Sequence, residues 1–371
     1  MKPTIVMIDA ANGTKLLRTD PIREATYTYW PYLLGPDRDD THSFGEDRID
    51  FQYYFSGRAD SPKAMEPEEL PQAAAVFVIG EPPQSQEIFR RVRKKQRNAK
   101  VCAFHGLHFY EVIEFRRRLY PKEISIYEEA DGILCARQSN THMWKQIFPD
   151  KPTYWLPVPY PLSYIRSLFP APHNPRRTFR VGFIVFCECE ASFLTAYAIH
   201  KRLGDRFEFV FLNVPATYQS GKEPTPERMT ERLLPGSVQD SWSSSLPFRH
   251  SIVSTWISFQ DFIRHIHNCD LVIFADNKGH QGRVLMDCAA LKIPCVCTDS
   301  TSCANRLWSD LSVPMTGILE KSLEVAERLA RGDPELRIYS ERASDTLRAN
   351  FGEEASKKRM ISLLADLGIA C

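Results

Sequence analysis

The stretch Cys269–Asp299 reads CDLVIFADNKGHQGRVLMDCAALKIPCVCTD, and it predicts the fold of the second half of the chain. Leu271–Ala275 is an apolar run of strand length, whereas residues 276–282 are polar with two glycines and predict a loop. Val284–Leu291 has helical character, and Pro294–Thr298 predicts a second short strand. A strand, a loop, a helix and a strand within about thirty residues form one βαβ unit.

The loop of this unit lies at the carboxyl end of its strand and opens a helix. In open α/β sheets, anionic ligands bind at that place, on backbone N–H groups and the positive end of the helix dipole. Gly282 and Arg283 begin the helix, and Asp287 lies one turn further along, where it faces the same crevice. The sequence therefore predicts a nucleotide or sugar-nucleotide site. A plain loop with a solvated Asp287 is the competing interpretation.

The composition is that of a globular protein without a strong overall charge. The chain has 371 residues, of which 43% are hydrophobic and 25% charged, and its formal net charge is +1. The length favours two domains, and the balanced charge excludes selection of nucleic acid or anionic membrane by the field of the whole chain. Ten cysteines without a repeated spacing, with no signal peptide ahead of them, predict free thiols in a cytoplasmic protein. No apolar run approaches the roughly 18 residues of a transmembrane helix.

Prolines divide the chain into two series of strands and helices. Thr4–Asp9 predicts the first strand, and Asn12 and Gly13 lie in the turn after it. Prolines at positions 157, 159, 161, 170, 172 and 175 interrupt regular structure, and a second α/β series begins at Thr178. The predicted division is a domain over residues 1–158, a linker over 159–177, a second domain over 178–350, and a C-terminal helix over 351–371 that crosses back to the first domain.

A basic segment covers residues 90–122, which carry eleven Lys or Arg against two Glu. Such a run is usually the solvated face of a helix. It also fits a basic patch for an anionic acceptor, a lipid head group or a nucleic acid phosphate. Arg116 and Arg117 are the candidate acceptor-side residues of this patch, together with Asn12 and Gly13 in the first turn.

Two further groups of polar residues invite a functional interpretation. His105 stands at the end of a predicted strand, where a buried structural histidine and a functional one fit equally well. Cys187 and Cys189 would lie on one side of an extended segment. No second pair of ligands with zinc spacing lies near them, so we predict no metal site.

Four segments resemble the GT-B glycosyltransferases, and most closely the retaining glycosyltransferases of family 4. Residues 270–275 (DLVIFA) are similar to the strand before the donor site, and residues 287–296 (DCAALKIPCV) to the helix and strand that follow it. Residues 101–106 (VCAFHG) and 130–135 (ADGILC) are similar to two segments of the N-terminal half. The resemblance implies an α/β fold of GT-B type, with two Rossmann-like domains that face a cleft and with C-terminal helices.

The resemblance also assigns roles. It implies an acceptor domain over residues 1–158 and a nucleotide-sugar domain over 178–350. Asp287 stands where the family carries a glutamate that binds the donor ribose, and His105 stands where the family places a histidine beside the transferred sugar. Asn277, Gly279 and Gly282 belong to the loop that would contact the donor.

The chain departs from the family at the donor diphosphate. The Arg and Lys that grip the diphosphate in the family have no counterpart in residues 182–190. Lys278 and Arg283 flank the predicted phosphate loop, and we expect them to supply the missing charge because two buried phosphates need compensation. Gly279 stands where the family has the first of two glutamates, and the double-glycine turn near the N-terminus is reduced to Asn12-Gly13.

The sequence therefore predicts a glycosyltransferase that moves a sugar from a nucleotide-diphosphate sugar to an acceptor hydroxyl with retention. His105, Arg283 and Lys278 are its predicted catalytic residues, and it needs no metal or cofactor. The acceptor stays open among a glycan, a lipid phosphate and modified DNA, and peripheral membrane contact is compatible with the basic segment. Two alternatives are a degenerate GT-B binding module without turnover and a sugar-nucleotide epimerase.

Overall fold

A computed structural model describes residues 2–9, 49–55, 65–79, 84–105, 121–169, 178–185, 189–214, 246–254, 259–276 and 282–371. The strands within these ranges are β1 Thr4–Asp9, β2 Asp50–Phe55, β3 Ala75–Ile79, β4 Lys100–His105, β5 Gly132–Cys135, β6 Thr153–Trp155, β7 Phe179–Ile184, β8 Phe207–Val214, β9 His250–Ser254, β10 Leu271–Phe274, β11 Cys295–Thr298 and β12 Ser312–Val313. The α-helices are α1 Gln84–Lys95, α2 Pro121–Glu129, α3 Gln138–Ile147, α4 Leu162–Leu168, α5 Cys189–Leu203, α6 Phe259–His267, α7 Arg283–Leu291, α8 Ala304–Leu307, α9 Ile318–Ala330, α10 Glu335–Phe351 and α11 Glu353–Asp366.

The strands form two six-stranded sheets in which every neighbouring pair is parallel. The first sheet has the order β2-β1-β3-β4-β5-β6 and the second the order β12-β11-β10-β7-β8-β9. Parallel neighbours require crossover connections, which the helices between the strands provide. The predicted α/β class with two Rossmann-like sheets is confirmed.

The described residues form two compact units. The first contains the residues up to Tyr164 together with Arg348–Cys371, and the second contains those from Ile165 to Leu347. Each unit holds one of the two sheets.

Both faces of the first sheet are buried, as alternation along its strands requires. Ile5 and Met7 of β1 face a core that includes Met360, Leu363 and Leu364 of α11. The intervening Val6 and Ile8 face a second core, which includes Phe89 and Val92 of α1 and Trp144 of α3. Full burial of one such apolar side chain contributes about 1.5–3 kcal/mol, so the sheet depends on helices on both sides.

The second sheet has the strand order of a dinucleotide-binding domain. Starting from β7, the strands β8 and β9 lie on one side, and β10, β11 and β12 lie on the other. The order reverses between β7 and β10, and every residue of β10 and β11 is buried, as in parallel sheets covered on both faces. Open α/β sheets bind ligands outside the carboxyl ends of their strands at such a reversal.

Three local predictions differ from the structure. The helix α4, Leu162–Leu168, lies inside the predicted linker. Residues 162–169 contain no proline, and Pro161 is tolerated at the start of a helix. The strand β2 was not predicted, because its residues DFQYYF are polar and aromatic without an apolar run. The helix α5 begins at Cys189, so the extended geometry predicted for Cys187 and Cys189 is wrong at Cys189.

Candidate functional site

The start of α7 lies at the reversal of the second sheet. The helix follows β10, and β10 pairs with β7 through Val272 and Gly182. The N–H groups of Leu285 and Met286 donate to the carbonyl oxygen of Gly282 at 3.0 and 3.4 Å, so the helical hydrogen bonding begins at that residue. The fold thus brings a helix N-terminus to the place where an α/β sheet binds anionic ligands.

Gly282 is required by its backbone and by its neighbours. Its φ of +83° lies in the left-handed region that favours glycine. A Cβ at this position would lie 2.2 Å from Cγ2 of Thr301 and 2.9 Å from Sγ of Cys303. The segment after β11 therefore packs directly against the start of α7.

Thr301 is a residue of this site that the sequence analysis missed. Its side chain is 2% exposed, and no hydrogen-bond partner for its hydroxyl oxygen exists among the described residues. A buried hydroxyl without a partner costs about 1–3 kcal/mol, so such groups usually have a ligand or a function. The signal in the sequence is the run of polar residues at positions 298–302, which begins at the last residue of β11.

Two other hydroxyls of that run connect the ends of β10 and β11. The Ser300 hydroxyl donates to the carbonyl oxygen of Asp276 at 2.7 Å, and the Thr298 hydroxyl donates to the same oxygen. Asp276 itself is 3% exposed and directly follows β10 and Ala275. These bonds hold the carboxyl ends of the two strands in a fixed relation.

Arg283 and Asp287, both predicted site residues, form an ion pair within α7. Nε of Arg283 lies 3.1 Å from Oδ1 of Asp287, one helical turn away. The Asp287 side chain is fully buried, whereas 26% of the Arg283 side chain is exposed. The carboxylate therefore holds the guanidinium beside the start of the helix, where part of it remains open to solvent.

Buried thiols surround the base of the site. Burial raises the pKa of the Cys295 thiol well above its ordinary value, and contacts with Cys288 and Cys297 raise it further. Thiols are nucleophilic and metal-binding as thiolates, so Cys295 acts as an apolar packing residue. Within the described ranges, no cluster of three or more His, Cys, Asp or Glu side chains is arranged to hold a metal ion.

The first unit places His105 in a buried aromatic setting. The residue ends β4 and is 6% exposed, and its ring meets those of Tyr127 and Trp144 edge-on at centroid distances of 5.7 and 5.5 Å. Nδ1 of His105 lies 3.1 Å from Nε1 of Trp144 and 3.1 Å from Nδ2 of Asn140. Asn140 and Trp144 were not recognised in the sequence as site residues.

The remaining predicted site residues lie outside the described residues. They are Asn12, Gly13, Arg116, Arg117, Asn277, Lys278 and Gly279.

The basic face of α1 is partly neutralised. Arg91 pairs with Glu66 at 2.7 Å and with Glu68 at 2.5 Å, and Arg93 pairs with Asp131. These contacts favour the interpretation of this helix as a solvated, charged face. In the part of the chain that the structure describes, no helix is long and apolar enough to cross a membrane.

Two parallel six-stranded sheets in separate units, with the reversal of strand order described above, define the GT-B fold. The N-terminal domain of trehalose-6-phosphate phosphatase from Candida albicans is similar, with a TM-score of 0.63 at 8% identity, over 98% of this chain and 97% of that one. Sucrose-phosphate synthase from Thermosynechococcus elongatus gives 0.60 at 14% identity, over 99% of each chain. Anabaena HepE in complex with UDP and glucose gives 0.57 at 9% identity, over 98% and 99%.

The TM-scores of these three structures establish a common fold. No protein-family model and no curated protein matches the sequence.

Proposed function

We propose that this chain is a glycosyltransferase that binds a nucleotide-diphosphate sugar at the start of α7 and transfers the sugar to an acceptor hydroxyl. The observation that carries the proposal is the buried hydroxyl of Thr301, which has no partner among the described residues, on a side chain whose methyl group packs against Gly282. A hydroxyl beside a helix N-terminus suits a phosphate oxygen, because it can donate a hydrogen bond to the anion.

The charge of the diphosphate is met by three groups in this proposal. The helix dipole contributes about half a positive charge. Arg283 contributes a full charge, and its guanidinium can grip a phosphate with two parallel hydrogen bonds. Lys278 is proposed as the second cation, with Asn277 and Gly279 as further donor contacts. Asp287 is proposed to bind the donor ribose, in addition to holding Arg283 in place.

The reaction requires little side-chain chemistry. The bond between the anomeric carbon and the leaving phosphate oxygen breaks, and the acceptor oxygen forms a bond to the same carbon on the same face. The departing phosphate oxygen takes the proton of the acceptor hydroxyl. The protein contributes positioning and stabilisation of the charge that develops on the phosphate. His105 is proposed to contact the transferred sugar, and Asn12, Gly13, Arg116 and Arg117 the acceptor, which is a glycan, a lipid phosphate or modified DNA.

UDP-glucose is the first donor to test, because UDP and glucose occupy the similar HepE structure. Thr301→Val removes the hydroxyl and keeps the shape of the side chain. We expect this variant to be as stable as the wild type or more stable by about 1 kcal/mol, since no bond within the described residues is lost. We expect its affinity for UDP-glucose to fall by about 1–2 kcal/mol in isothermal titration calorimetry.

Thr298→Val is the matched control, because that buried hydroxyl already donates to the carbonyl of Asp276. It should lower the melting temperature, which Thr301→Val should not. Unchanged affinity of Thr301→Val for UDP, UDP-glucose and their guanine counterparts would contradict the phosphate site.

The second candidate function is a GT-B binding module without turnover. It is favoured by the lack of a basic residue in residues 182–190, where the Arg and Lys that grip the diphosphate in the family have no counterpart. The similar Candida albicans domain belongs to a protein named a phosphatase, so the fold also occurs beside another activity. Release of UDP from UDP-glucose, followed by mass spectrometry, separates the two. Binding without release would favour the module, and a free epimeric sugar would point to an epimerase.

A further inference from the structure

We infer that Trp144 and Asn140 are positioning residues that hold the neutral ring of His105 in the Nε2–H form, so that His105 acts as a hydrogen-bond donor and not as a base. The inference about the ring rests on geometry alone. Its consequence for catalysis rests on the proposed function.

The indole of Trp144 decides the position of the proton. Nε1 of Trp144 lies 3.1 Å from Nδ1 of His105. An indole N–H can only donate, so Nδ1 must be the acceptor in this bond and must carry no hydrogen. In a neutral imidazole the hydrogen then resides on Nε2.

Asn140 agrees with this assignment. Its Nδ2 lies 3.1 Å from the same Nδ1 of His105, and an amide nitrogen is a donor. The opposite orientation of the amide would place its oxygen against the lone pair of Nδ1. It would fit only an Nδ1–H ring, which the indole N–H of Trp144 excludes.

Packing fixes both donors. Asn140 and Trp144 lie four residues apart on one buried face of α3, and each is 2% exposed. The Trp144 ring stacks on Phe148 at a centroid distance of 5.8 Å, with the ring planes 6° apart. On the other side, the N–H of Ala136 donates to the carbonyl oxygen of His105 at 3.1 Å and holds the end of β4. The imidazole therefore has one orientation.

The chemical consequence concerns the second nitrogen. Nε2 with a hydrogen has no lone pair with which to accept a proton from an acceptor hydroxyl. It can donate a hydrogen bond to an oxygen of the substrate. This agrees with a transfer in which the departing phosphate oxygen takes the proton.

The test is a long-range ¹H–¹⁵N spectrum of the full chain with ¹⁵N-labelled histidine, in which the two imidazole nitrogens report the tautomer directly. His105 is assigned by its disappearance in His105→Gln. His250 provides an internal reference of the opposite kind, because its Nδ1 lies 2.8 Å from the carbonyl oxygen of Phe248 and must carry the hydrogen. We expect the Nε2–H pattern for His105 and the Nδ1–H pattern for His250. An Nδ1–H pattern for His105 in the wild type overturns the inference.

Trp144→Phe keeps an aromatic ring against Phe148 and removes the N–H. We expect both tautomers of His105 to appear in its spectrum, and a pure Nε2–H signal would overturn the role of Trp144. If Trp144→Phe does not fold, the spectra of Asn140→Ala and of the wild type still show which nitrogen of His105 carries the hydrogen. With UDP-glucose, Trp144→Phe should lower kcat roughly three- to tenfold, the scale of one neutral hydrogen bond, with KM little changed.

Turnover by His105 variants tests the donor role separately. His105→Gln retains an N–H near the position of Nε2 and should keep more activity than His105→Ala. If His105 acted as a base, the two variants would lose the same activity, because neither side chain can accept the proton. Absence of any turnover in the wild type would contradict the proposed function and leave the tautomer assignment standing on the spectrum.

Discussion

The two units share a construction at one end of their sheets and differ at the other. Asp131 directly precedes β5, and its Oδ2 accepts the N–H of Val101 in the neighbouring strand at 2.8 Å. Asp270 directly precedes β10, and its Oδ2 accepts the N–H of Arg180 at 2.7 Å. Each aspartate also donates its own N–H to the carbonyl of that same neighbour, at 2.9 and 2.8 Å. The repeated aspartate of the two similar segments therefore joins neighbouring strands in each sheet.

Within the described ranges, the carboxyl ends of the strands show no such repetition. The first unit has a histidine held among aromatic rings, at His105 and Trp144. The second has a left-handed glycine, a hydroxyl and a helix start, at Gly282, Thr301 and Arg283. The amino ends of the strands thus carry the same aspartate contact in both units, whereas the carboxyl ends carry the side chains in which the two units differ.

The largest loss of stability is expected from Asp287→Ala, a substitution in the helix that follows the carboxyl end of β10 in the second unit. Removing one partner of a buried ion pair leaves the other uncompensated, and we expect a loss of about 3 kcal/mol in the free energy of unfolding. The donor affinity should fall by about 1–3 kcal/mol if the ribose role holds.

Glu341→Ala is the control for that variant. The pair of Arg337 and Glu341 has the same 3.1 Å distance and the same spacing of four residues, but 85% of the Arg337 side chain is exposed. Its loss should change stability by no more than about 0.5 kcal/mol. Equal effects of the two substitutions in urea denaturation would refute the idea that burial makes the Asp287 pair important.

A smaller loss, about 2–3 kcal/mol, is expected from Gly282→Ala. An L-residue in the left-handed region costs about 1–2 kcal/mol, and the contact with Thr301 adds an overpacking cost. Gly332→Ala separates the two causes, because Gly332 has a φ of +71° and nothing within 4 Å of an added Cβ. Gly332→Ala should lose only the free energy that the left-handed backbone costs, about 1–2 kcal/mol, as measured by thermal unfolding. A Gly332→Ala variant as unstable as Gly282→Ala would contradict the steric part.

The smallest effect concerns Asp131, the aspartate before β5, and depends on pH. Burial acts to raise the pKa of Asp131, but the bonds from Arg93 and from the N–H of Val101 outweigh it and hold that pKa below its ordinary value. The stabilisation is therefore fully present above the unfolded pKa of about 3.9, and it is lost as the pH falls through the lower folded value.

Asp131→Asn should thus cost about 1 kcal/mol at pH 7, and the difference from the wild type should shrink below about pH 4. Most of this comes from the weaker bond that a neutral amide oxygen accepts from the Val101 N–H, since Arg93 is partly exposed and its pairing is screened. Asp270→Asn should have a similar effect at pH 7, because its carboxylate accepts the equivalent backbone N–H, that of Arg180. Urea denaturation of both variants at pH 7, and of Asp131→Asn down to pH 3, provides the measurement. A difference between Asp131→Asn and the wild type that grows on acidification would contradict the prediction.

The sequence predicted the fold class well because buried parallel strands are short apolar runs with recognisable limits. Thr4–Asp9 and Leu271–Phe274 are examples. The strand β2 was not predicted because one of its faces is polar. The polar side chains of that face hydrogen-bond to one another, with Gln52 donating to Asp50 at 2.7 Å. Such an edge strand has no apolar pattern to read.

The candidate site was predictable only where its residues are close to one another in the sequence. The loop and helix from Gly282 to Asp287 form one continuous segment, so their spacing was visible in the sequence. Thr301 approaches Gly282 across nineteen positions, and Trp144 approaches His105 across thirty-nine, which only the folded sheet brings together. The ion pair of Arg283 and Asp287 has the helical spacing of four residues, but the spacing does not reveal its burial.

The place of α11 in the chain has a consequence for the order in which the protein matures. Residues 360–369 cover one face of the first sheet, yet they are translated after the whole of the second unit. While the ribosome is still producing the second unit, the side chains of Ile5, Met7 and Phe77 lack the cover that α11 later provides. The first unit, begun earliest, is therefore finished last, and a nascent chain that stalls before α11 presents an apolar sheet face to chaperones or to other nascent chains.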